Sequence, residues 1–111
     1  MKIKVSEATR PQLDWMVATA EGWEYDNIEN ATRDDRRKKY STNWSQGGPI
    51  IERETVGVGP RLDDTVWPEA WLASTPKDGA LFFGPTPLIA AMRCYVASKL
   101  GDEVEVPEKL R

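Results

Sequence analysis

Histidine is absent from this chain, and cysteine occurs once, at Cys94. Without histidine there is no Ser-His-Asp or Cys-His machinery and no imidazole-held zinc. A lone thiol cannot close an intrachain disulfide or build a thiolate metal site. Apolar length is also short. No run approaches the roughly 20 residues of a membrane-spanning helix, and the opening MKIKVSEATRPQ lacks the apolar stretch of a secretion signal. Positive charge is in deficit too. The chain has 15 basic and 18 acidic residues, a net −3, the wrong balance for wholesale nucleic-acid binding. The expectation is a protein of a reducing cytoplasm with neither membrane nor nucleic acid as partner.

Catalysis would have to run on carboxylates, lysine, tyrosine, an oxygen-held metal or Cys94. Asp34-Asp35, Asp63-Asp64 and Glu52/Glu54 are the candidate acid pairs. Adjacent acids point apart on most backbones, so none makes a convincing acid–base or metal pair. Cys94 reads as a small buried hydrophobe, because nothing near it in sequence lowers its pKa. The expectation is no catalytic residue, no metal, no cofactor and no enzyme.

What is present suits one domain over residues 1–111, with 40% hydrophobic and 30% charged residues. Five tryptophans are many for this length; some should anchor the core and one or two should line a site. Lys2–Val5 alternates polar and apolar and predicts a short edge strand. Thr9 with Gln12 forms a capping box for a first helix, and Gly22 is its natural stop. Ten of the sixteen residues in the insert 24–39 are charged, which predicts a solvated loop, or alternatively a phosphate patch from Arg36, Arg37, Lys38 and Lys39. Thr42 or Asn43 caps a second helix running to about Glu54, with a strand over 50–56 as its rival. A start near Ser45 would keep Pro49 in the first turn. Residues 56–65 read as turn material. Trp67–Ser74 and Ala80–Phe83 read as strands joined by a hairpin at PKDG. Thr86, Pro87 and Gly101 bound a third helix that is apolar nearly all round. Its small face (Ala90, Cys94, Ala97, Ser98) needs cover from another helix or from a homodimer. The acidic tail 102–111 is expected to fray.

The candidate site is YSTNWSQGGPIIERE, residues 40–54. Trp44 can stack on a planar ring, flanked by Tyr40, Ser41 and Thr42. Gly47 and Gly48 let backbone N–H groups approach an anion. Arg53 can pair with phosphate or carboxylate. The competing reading makes Trp44 core, Gly-Gly-Pro a turn and Glu52–Glu54 a wet helix face. Arg93, alone among apolar residues, either meets a ligand anion or pairs with a carboxylate such as Glu52 or Glu54.

Residues 40–54, followed by GPTPLIAAMRCYVASKLGDEVEVP at 84–107, closely resemble the small NinX-like proteins of lambdoid phages and prophages. The opening MKIKVSEATRPQLDWMVATAEG agrees with this. The order YST-x-W, W-x-A, G-x-TP-x-x-A-x-x-R is also similar to a broader phage αβα-sandwich domain. The resemblance implies a phage accessory protein in the bacterial cytoplasm, and it carries no activity with it. The expected fold is α/β (α+β): a small, mostly antiparallel sheet with about three helices packed on it. The expected function is non-enzymatic capture of a small anionic, nucleotide-like ligand. The alternative is a protein–protein module that acts on a host bacterial protein, with tryptophans as anchors and no small-molecule site.

Overall fold

The apolar helix near the end of the chain is the centre of the fold. The computed structural model describes residues 1–23, 38–61, 69–76 and 79–110. Most of the charged insert, Asp63-Asp64, Trp67 and the middle of PKDG lie outside the described residues.

Three helices are described: α1 (Arg10–Ala20), α2 (Trp44–Glu54) and α3 (Pro87–Leu100). The strands are β1 (Lys2–Lys4), β2 (Gly57–Pro60), β3 (Trp71–Ser74), β4 (Phe82–Gly84) and β5 (Glu103–Glu105). They form two antiparallel sheets, β1-β5 and β2-β3-β4. The fold is therefore α+β, with the sheet divided in two. α3 packs on the three-stranded sheet on one side and on α1 and α2 on the other. This two-sided burial explains why every residue from Leu88 to Val96 is buried. The small face is thus covered within the chain, and no second copy is needed for that purpose. Gly84 marks the close approach: a Cβ there would lie 2.7 Å from the Ala90 nitrogen. Cys94 is buried, as its apolar setting leads one to expect.

The caps follow the sequence closely. The Gln12 side chain accepts the Thr9 N–H at 2.9 Å, and Thr86 Oγ1 accepts the Ile89 N–H at 3.1 Å. Gly22, at φ 76°, closes α1. Its N–H donates to Thr19 O while that of Trp23 donates to Ala18 O, the paired bonds of a Schellman ending. α2 ends the same way through Thr55, a β-branched residue held at φ 56°, which is a costly position.

Several expectations are corrected. α2 begins at Trp44 behind an Asn43 cap, so Pro49 lies inside the helix. It is exposed there, so water can serve the carbonyl that its missing N–H leaves unpaired. Gly57–Pro60 is not turn material but a strand paired with β3. It is an edge strand, where Gly and Pro are tolerated. The tail does not fray: Glu103–Glu105 pairs with β1, and Val104, Val106 and Leu110 are buried. Their alternation with Glu103 and Glu105 puts the acids in water. None of the four described tryptophans is fully buried; Trp15 and Trp71 pack only partly on the core.

Candidate functional site

The N-terminal ends of the three helices meet at one cleft. Its walls are Arg10, Ser41, Thr42, Trp44, Thr86, Leu88 and Ile89, around about 250 Å³. Arg10 opens α1, Trp44 opens α2, and Thr86 caps α3. None of these helices has an acid in its first turn. Each N-terminus carries about half a positive charge, usually offset by nearby Asp or Glu. Here three such ends converge with Arg10, and their first turns carry no such offset.

The turn before α2 is fixed in place. Lys39 O accepts from the N–H groups of Thr42 and Asn43, at 3.2 and 2.8 Å. Gln46 reaches back to the Lys39 N–H at 2.7 Å. Asn43 accepts the Ser45 N–H at 2.9 Å. Beneath the turn, the fully buried Asp14 accepts the Ser41 N–H at 2.8 Å. Asp14 does not line the cleft. Ser41 is 1% exposed, yet its hydroxyl has no hydrogen-bond partner among the described residues. A buried unsatisfied hydroxyl is costly. Trp44, in contrast, is 55% exposed at the cleft mouth, so the reading that placed it in the core does not hold.

Ser41, Thr42 and Trp44 of the expected site are therefore brought together. The others stand apart. Tyr40 packs partly on the core. Gly47 is buried at a crossing, where a Cβ would lie 2.4 Å from Tyr40 O and 2.7 Å from Leu88 Cδ1. Its N–H is taken by Asn43 O. Gly48 lies one residue deeper in α2, outside the cleft lining. Arg53 is at the far end of α2, where it meets Glu21 at 2.5 Å and Glu54 at 2.9 Å. Arg93 is buried and donates to Phe83 O at 2.7 Å, Ala8 O at 3.2 Å and Glu69 at 3.2 Å. Its carboxylate partner is Glu69, not Glu52 or Glu54, because the guanidinium reaches the β4 side of α3. Arg10 and Thr86 were not read as site residues from sequence. The signal that could have found them is the acid-free start of all three helices.

The opposite ends of the helices also meet, around charges that neutralise each other. Glu21 follows α1, Arg53 and Glu54 end α2, and Tyr95 and Lys99 lie in the last turns of α3. The Tyr95 hydroxyl donates to Glu21. Lys99 lies 3.4 Å from Glu54. Arg53, through its hydrogen bond, holds the Glu21 carboxyl below its ordinary value, aided by Tyr95 and against burial. Burial first, then Glu21, pushes the Tyr95 hydroxyl upward.

A further cleft of about 410 Å³ is lined by Ser6, Arg61, Glu69, Leu81, Phe82 and Phe83. Leu81 is 55% exposed there. No helix among the described residues is long and apolar enough to cross a membrane. Residues 4–99 match the protein family described as Bacteriophage P22, NinX. No curated protein matches the chain.

Proposed function

The chain belongs to the phage P22 NinX family, and from that premise we propose that it is a phage accessory protein that captures a small anionic, nucleotide-like ligand in the host cytoplasm. The observation that carries this reading is the acid-free meeting of three helix N-termini around a cleft with an unpartnered buried hydroxyl. Such ends attract anions through dipoles and free N–H groups. Trp44 supplies a face for a planar ring, and Leu88 and Ile89 supply an apolar wall. Among the described residues the cleft has no carboxylate, lysine or thiol to move a proton or attack a bond. The role proposed for the cleft is sequestration of the ligand rather than turnover.

A thermal-shift screen against mono-, di- and cyclic nucleotides tests this. A ligand at a hundredfold excess over its Kd adds about 2.7 kcal/mol, a rise of roughly 10–20 °C for a domain of this size. The rise should shrink in Trp44→Ala and Arg10→Ala. A flat screen would favour the second reading, a module that docks on a host protein. The observation on that side is exposed Leu81 beside Phe82 and Phe83.

A further inference from the structure

The donors around the cleft narrow the chemistry of what it holds. Arg10, Trp44 and Leu88 each line it, and the main-chain N–H of each has no partner among the described residues. The neighbouring donors are already removed or used. Pro11 and Pro87 have none, the Ser45 N–H is taken by Asn43, and the Ile89 N–H is taken by Thr86. Each helix thus brings one free N–H on a residue that lines the cleft. To these are added the Ser41 hydroxyl, 1% exposed and unpartnered, the Thr42 hydroxyl, and the Arg10 guanidinium, which has no ion pair among the described residues.

We infer that the group recognised here is a single phosphate, with the ring it carries lying on Trp44; this rests on the reading of the cleft as a ligand site. A carboxylate has two oxygens and would leave most of these donors unmet. A terminal phosphate has three strong acceptor oxygens and about two negative charges near neutral pH, which suits this donor set. Di- and triphosphates bring more charge and commonly a divalent ion held with carboxylate help. The cleft offers one guanidinium and, among the described residues, no lining carboxylate. Its volume of about 250 Å³ also suits a ring with one phosphate better than a longer chain. Asp14 acts as a positioning residue, since it holds the Ser41 N–H from below.

The test is an amide NMR titration of the full chain with inorganic phosphate, then with acetate and benzoate at matched ionic strength. Phosphate should shift the amides of Arg10, Ser41, Thr42, Trp44 and Leu88 saturably. It should bind about tenfold tighter than either carboxylate, and Arg10→Ala should weaken it by about tenfold. Ser41→Ala, which loses no internal hydrogen bond, should fold and still weaken phosphate several-fold. Equal or tighter binding of acetate or benzoate at the same amides would overturn the phosphate assignment and leave the ligand cleft standing. No shift at these amides with any anion, in a folded chain, would overturn both.

Discussion

The two ends of the helix group are built in opposite ways. At the C-terminal end, where the helix dipoles are negative, Arg53 and Lys99 stand in the last turns. Glu21, Glu54 and Tyr95 join them in a network that leaves little charge unmatched. At the N-terminal end, where the dipoles are positive, the first turns hold no acid, and the buried Ser41 hydroxyl is left without a partner among the described residues. The same three helices supply both ends, so helix packing alone does not explain the contrast. One end is arranged for stability. The other leaves main-chain donors without partners among the described residues, as the proposed ligand site requires.

The comparison can be broken or sharpened by substitution. The largest effect is expected at Gly47, which lets α2 cross the Tyr40 backbone. A Cβ at 2.4 Å from Tyr40 O forces the backbone to move, so Gly47→Ala should cost about 2–4 kcal/mol by chemical denaturation. Arg53→Ala strips the C-terminal network of its guanidinium and leaves Lys99 as the remaining cation. Its side chain is half exposed, so solvent screening holds the loss to about 1–2 kcal/mol. A result near zero would mean that the closed end contributes nothing.

Acid should act on the same end. Glu21 is held below the usual glutamate value by Arg53, so the unfolded chain takes up its proton first. The stability from this pairing is complete above the ordinary value of 4.5. It is lost as pH falls through the lowered folded value. Melting temperatures from pH 6 to pH 3 should therefore fall less steeply in Glu21→Gln than in the wild type. A smaller effect of opposite sign is expected at Gly48, where a Cβ meets only Trp44 Cε3 at 3.8 Å. Gly48→Ala should raise stability by about 0.5–1 kcal/mol through helix propensity. Adjacent glycines would then answer in opposite directions.

Much of this was legible from the chain. Thr9, Gln12 and Gly22 marked α1, and Thr86, Pro87 and Gly101 marked α3, because caps are local chemistry. β2 and β5 were missed, since three or four residues carry too little alternation to stand out. Val104 and Val106 are the core side of β5, but the surrounding acids masked them. Ser41, Thr42 and Trp44 fall together at the cleft because they share one segment with the turn that holds them. Arg10 and Thr86 reach the cleft only through the packing of α1 and α3. Arg53 and Arg93 looked like ligand cations because sequence cannot show Glu21 or Glu69 beside them.

The most direct measurement is thermal unfolding of the wild type and Ser41→Ala in matched buffers, with and without phosphate. Without phosphate the variant should be as stable as the wild type or more so, by up to about 1 kcal/mol, because it loses only an unpaired buried hydroxyl. With phosphate the wild type should gain clearly more than the variant. A variant that is markedly less stable without phosphate, or that gains as much with it, would contradict a hydroxyl held free for a ligand.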